Sequence, residues 1–184
     1  MTIFRLSVLT FLLSTSSSLQ AVEQPSCQDY DVYVMRHLPK AVSENKDPDL
    51  SDEGHRMAVV FSGLDFMKQV DVGYTTDYKR TRQTLNPSVK QHQFEVRTYD
   101  PRHNQALVDE INKQFCGKTV IIVGHSNTVP AIVQAFDGQF EISFAGEALP
   151  QSTQIHLDES DYGAIFHVKK EQGKIKQRMF RLGQ

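Results

Sequence analysis

The chain has no tryptophan, only two cysteines, and no internal repeat. The missing repeat excludes solenoid and propeller architectures. Neither sign of charge dominates. Twenty Lys and Arg stand against 22 Asp and Glu, a formal net charge of −2, which excludes a generally basic nucleic-acid binder. Ten Gly and seven Pro in 184 residues give no collagen-like or linker-like bias. No apolar stretch reaches the length of a membrane-spanning helix. His-Glu-x-x-His and Cys-x-x-Cys are both absent. Gly117-Lys118-Thr119 resembles the end of a phosphate-binding loop, but Asn112 stands where that motif needs its first glycine. Histidines 55, 92, 103, 156 and 167 lack metal-ligand spacing and read as mostly exposed. No metal or cofactor is expected.

What is present fits one soluble α/β domain. The chain is 39% hydrophobic and 23% charged, a folded and not a disordered profile. Its start reads as a secretory signal peptide. Arg5 supplies the positive region, Leu6–Leu13 the apolar region, and Ser14–Ala21 the small and polar region before cleavage after Ala21. Residues 22–184 then form a single exported domain, periplasmic or secreted, without a stable membrane anchor. In an oxidising compartment, Cys27 and Cys116 read as a disulfide.

Strand and helix patterns alternate along that domain. Tyr30–Met35 reads as a buried strand and 38–50 as a loop. Ser51 caps an amphipathic helix over 52–68, slightly weakened by Gly54 in its first turn. Asp71–Thr75 is a short strand. A polar helix over 77–85 stops before Pro87. Phe94–Thr98 is a strand. Asp100-Pro101 reads as a cap and first helical residue, with the helix running to about Phe115 before Gly117. Thr119–Val123 is the most apolar strand, and Thr128 caps a helix reaching Phe136. Residues 162–169 and 175–182 form a hairpin around Gln172-Gly173. The expected fold is a three-layer α/β/α sandwich, with a mostly parallel central sheet and a C-terminal β-hairpin.

Ligands of such sheets bind beyond the carboxyl ends of the strands. Two apolar strands each deliver a histidine there, His37 and His125, and Arg36 and Arg80 accompany them. Two imidazoles and two guanidinium groups at one sheet edge suit a dianion, since arginine presents a planar fork to phosphate oxygens. Arg36-His37, the segment Thr75–Thr84 and Gly124-His125-Ser126-Asn127-Thr128-Val129-Pro130 resemble the histidine phosphatase superfamily, the phosphoglycerate mutase-like group. The similarity runs from about Tyr30 to Phe136.

The resemblance implies that His37 is a nucleophile forming a phosphohistidine. It implies that Arg36, Arg80 and His125 bind the equatorial oxygens. Lys40 and Asn127, beside the two motifs, join the expected substrate-binding set. The proton donor is either Asp100 or nothing more than a helix cap at that position; Asp52 and Glu53 are weaker alternatives. Lys40, Lys79, Arg82 and Arg102 form either a basic rim or an ordinary solvated surface.

Leu38 replaces the usual Gly or Ala after the first histidine. Ser126 follows the second histidine, and no Arg-x-Pro follows the first motif. Both features turn the resemblance away from the acid phosphatase and phytase branch and toward the small mutase-like branch. The leading expectation is an exported, metal-independent phosphomonoesterase acting on a small phosphorylated substrate such as a sugar phosphate. The alternatives are a mutase-like phosphotransferase, a phosphohistidine-protein phosphatase and a non-catalytic phosphate-ligand binding module. On parallel neighbouring strands, Cys27 and Cys116 would both fall at the amino-terminal edge, opposite the histidines, in a structural disulfide.

Overall fold

The computed structural model describes residues 27–141, 143–144, 147–148, 150 and 154–183. The signal-peptide reading therefore lies outside the described residues. In chain order the elements are β1 (Tyr30–Arg36), α1 (Asp52–Ser62), a 3-10 turn (Asp65–Gln69), β2 (Val72–Thr75), α2 (Lys79–His92), β3 (Glu95–Thr98) and α3 (Asn104–Gln114). There follow β4 (Thr119–Gly124), α4 (Val129–Ala135), β5 (Ser143–Phe144), β6 (Glu147–Ala148), β7 (Ala164–Glu171) and β8 (Lys174–Arg181).

The central sheet runs β3-β2-β4-β1-β7-β8. Strands β3, β2, β4 and β1 are mutually parallel, and the hairpin β7–β8 adds antiparallel to β1. Alternate side chains feed two cores, as the period-2 geometry of strands requires. Val32, Val34, Tyr74, Val120 and Ile122 meet α3 and α4 through Leu107, Ile111, Ile132 and Val133. Tyr33, Met35, Ile121 and Val123 meet α1, the 3-10 turn and α2 through Phe61, Met67 and Leu85. The expected three-layer sandwich and C-terminal hairpin are both present.

Several local expectations are corrected. The helix over 52–68 breaks at Gly63, whose N–H closes the last turn onto Phe61 and Val60; the chain resumes as the 3-10 turn that buries Met67. The helix expected to stop before Pro87 runs on to His92. Thr84, Leu85 and Ser88 are all buried beside that proline, and this packing outweighs the ~3 kcal/mol an interior proline costs. Asp100 is no helix cap. The helix begins at Asn104, and the Asp100 carboxylate instead accepts from the Arg102 backbone N–H at 3.0 Å in a tight turn. Thr128 stands at the expected cap of α4, but its hydroxyl accepts from the His125 N–H. His167 is buried and not exposed, held between Asp31 and Arg178 and stacked on Tyr33.

Two glycines are there for close approach. A Cβ on Gly54 would lie 2.2 Å from the Pro39 carbonyl oxygen, so this residue seats the loop after His37 on α1. A Cβ on Gly124 would meet the Thr128 and Tyr99 oxygens at 2.7 and 2.8 Å.

Candidate active site

Strand register brings the two histidines together. β1 and β4 pair with Arg36 opposite Gly124, and the His37 N–H donates to the Gly124 carbonyl at 2.9 Å. The next residue on each strand is a histidine at the carboxyl edge, and the ring centroids are 5.5 Å apart. Arg80 enters from the first turn of α2. A cavity of about 360 Å³ opens there, lined by Arg36, His37, Arg80, His125, Asn127 and Glu159 among others. Lys40 and Arg102 also line it.

Hydrogen bonding sets the tautomers. His37 Nδ1 lies 2.8 Å from the Leu38 carbonyl oxygen. A carbonyl only accepts, so Nδ1 carries the proton and Nε2 keeps its lone pair. His37 is 4% exposed. Burial pushes its pKa down to about 3; the Leu38 bond opposes this, and the positive Arg80 and Arg36 reinforce it together with His125. His125 is pushed down to about 4 by burial and then by the same two arginines. Its Nε2 bonds Thr76 Oγ1 at 2.9 Å and its Nδ1 faces Arg80 Nη2 at 3.4 Å. Both rings are neutral near pH 7.

The arginines are held differently. Arg36 Nη1 donates to the carbonyls of Asp158, Glu159 and Asp161 at 2.8, 3.0 and 3.3 Å. Its Nη2 donates to Glu159 Oε2 at 2.7 Å and to Tyr162 Oη at 3.4 Å. The Tyr162 ring lies under its guanidinium at 4.3 Å. Arg80 rests on the Tyr78 ring at 4.3 Å, with Asp47 3.6 Å from Nη1. The Nε groups of both arginines are buried without a hydrogen-bond partner. Orphaned buried donors are rare and costly, and these two belong to residues lining one cavity.

Of the residues singled out from the sequence, Arg36, His37, Lys40, Arg80, His125 and Asn127 converge. Asp100 does not. It lies in a neighbouring depression with Asp77, Thr98 and Tyr99. Its carboxylate accepts from the Arg102 guanidinium at 2.9 and 2.7 Å, and these bonds hold its pKa far below the usual carboxylate range. Lys79 and Arg82 are spent on Asp49 and Asp77, so they belong to an ordinary surface. The residue the sequence reading missed is Glu159. It comes from a loop more than 120 positions after Arg36, with no motif around it to mark it. Among the described residues, no cluster of three His, Cys, Asp or Glu is placed to hold a metal ion, and no helix is long and apolar enough to cross a membrane.

No family model matches the chain, and no curated protein matches it. Solved structures do. A protein assigned as phosphohistidine phosphatase SixA from Agrobacterium tumefaciens superposes with a TM-score of 0.58 at 18% identity, over 83% of this chain and 98% of that one. The mycobacterial glucosyl-3-phosphoglycerate phosphatase superposes at 0.59 and 12% identity, over 83% and 98%. The phosphoserine phosphatase of Entamoeba histolytica, solved with 3-phosphoglyceric acid, superposes at 0.62 and 12% identity, over 84% and 98%. The chain has the α/β fold shared by these phosphatases.

Proposed function

We propose that this protein is an exported, metal-independent phosphomonoester phosphatase working through a phosphohistidine on His37. One observation carries the reading: two neutral imidazoles and two arginines with unspent Nε donors face one cavity. The free Nε2 of His37 attacks phosphorus in line. Arg80, Arg36 and His125 take up charge on the equatorial oxygens, preorganised before the reaction. Imidazole then leaves as water attacks, so one hard displacement becomes two easier ones. The arginines supply the positive charge that a metal supplies elsewhere. Lys40 and Asn127 at the rim fit a small phosphorylated substrate such as a sugar phosphate. Similarity in fold to phosphatases of phosphoserine and of a phosphorylated glyceric acid derivative supports this substrate class. The leader-like residues 1–21 and the paired Cys27 and Cys116 support export.

Hydrolysis of 4-nitrophenyl phosphate with EDTA present tests the activity, with His37→Ala as the control. Expected are turnover by the wild type only and an acid-labile phosphate on His37. If the wild type matches the variant on this ester and on a panel of natural esters, the protein is a phosphate-ligand binding module. Cell fractionation with N-terminal sequencing tests export; protein confined to the cytoplasm with Met1 retained refutes it.

A further inference from the structure

We infer that Glu159 is the acid–base residue of this site, freed from Arg36 by the incoming phosphoryl group; this rests on the phosphatase reading above. Glu159 is the one carboxylate among the described cavity-lining residues. Its two oxygens are clasped, Oε2 by Arg36 Nη2 at 2.7 Å and Oε1 by Ser126 Oγ at 2.7 Å. The partners differ in exposure. The Arg36 side chain is 3% exposed and that of Glu159 is 76%, so the carboxylate stands on the solvent side of the buried guanidinium. Asp100 is unavailable, being bound to Arg102 outside the cavity. His125 is committed to Thr76 and Arg80 through its two nitrogens.

Occupancy of Arg36 makes substrate binding and acid formation one event. Its Nη hydrogens go to backbone carbonyls, Tyr162 and Glu159. A dianion gains an Nη donor by displacing the Glu159 carboxylate, the one partner not tied into the backbone of the loop or packed under the guanidinium. In the unliganded site, the Ser126 bond and then the Arg36 charge hold Glu159 ionised. Displacement removes the Arg36 contact and places the carboxylate beside the dianion. Both changes favour protonation, and the proton comes from the solvent to which the side chain is open. In the first step the His37 Nε2–P bond forms and the P–O bond of the ester breaks. The Glu159 proton passes to the departing alkoxide. In the second step the Glu159 carboxylate takes a proton from water as the water oxygen bonds to phosphorus and the P–N bond breaks. Phosphate leaves, and Glu159 returns to Arg36 on losing its proton to solvent.

The test is Glu159→Gln, assayed on an alkyl phosphate (glycerol phosphate) and on 4-nitrophenyl phosphate, with vanadate as inhibitor. An alkoxide needs a proton in order to leave and a nitrophenolate does not. The expected result is a fall in kcat/KM, which reports phosphoryl transfer to His37, of about a hundredfold or more on the alkyl ester and less than about threefold on the aryl ester; kcat on the aryl ester falls as well, because both esters share the second step. Vanadate should bind more tightly, because its competitor for Arg36 has lost its charge. Equal loss of kcat/KM on both esters, or no loss on either, overturns the proposal; a purely structural role gives the equal loss. Wild-type turnover of the aryl ester alone also overturns it while leaving the phosphatase reading intact. Absence of turnover on both esters, with no phosphate on His37, refutes that reading and the proposal together. Should Glu159→Gln fail to fold, a wild-type crystal soaked in vanadate decides. An anion on Arg36 with Glu159 displaced supports the mechanism, and Glu159 still on Arg36 beside a bound anion ends it.

Discussion

Replacing His37 by asparagine should remove a specific acid sensitivity of folding. Asparagine has similar reach and cannot titrate. In the unfolded chain His37 has an ordinary pKa near 6.5, and in the folded protein burial lowers it to about 3. Between those values the unfolded state binds a proton that the folded state refuses, so acid favours unfolding. This contribution is intact above pH 6.5 and erodes as pH falls toward about 3. From pH 7 to pH 5 it amounts to about 2 kcal/mol for His37 alone. Urea titrations at the two pH values measure it directly. Wild type should lose about 2 kcal/mol more than His37→Asn over this interval, because the carboxylates contribute alike in both. Parallel losses would show that His37 titrates normally in the folded protein. Its Nε2 would then be protonated over much of the acidic range and poorly suited to attack phosphorus.

Arg80→Ala should lower kcat/KM on an aryl phosphate about a hundredfold, equivalent to ~3 kcal/mol of transition-state stabilisation; a change under threefold would place Arg80 outside the chemistry. Reducing the Cys27–Cys116 bond, which spans 89 residues, should cost up to about 4.5 kcal/mol on a chain-entropy basis. The melting temperature should fall while protein that remains folded keeps its activity. Gly54→Ala should destabilise by about 1–3 kcal/mol, because its Cβ meets a backbone oxygen at 2.2 Å; an unchanged melting temperature in a thermal scan would refute this.

Much of the sheet could be read from the sequence, because strand patterns are local. Tyr30–Met35 and Thr119–Val123 are apolar runs that pair in parallel as central strands, and this pairing fixes where His37 and His125 emerge. The disulfide followed from the same geometry, and both cysteines lie at the strand-entry edge. Errors fell where long-range packing overrode local rules. Pro87 sits within α2 because its neighbours are buried, a fact no window around residue 87 contains. Asp100-Pro101 has the spelling of a helix start, yet Arg102 takes the carboxylate and the helix waits until Asn104. Glu159 was invisible for the opposite reason. Nothing in its own segment announces a site, and its role arises from a guanidinium that reaches it from β1.

The bond between Cys27 and Cys116 has a mechanical consequence. β1 and β4 resemble the two tines of a fork, welded at the handle and carrying their imidazoles at the free tips. The gap at the tips is governed by the hydrogen-bonded ladder and by side chains such as Val34 and Ile122 lodged along its length. A void opened halfway up would spread the tips before it strained the weld. Truncating Ile122 should thus disturb phosphate capture while the sulfurs stay joined.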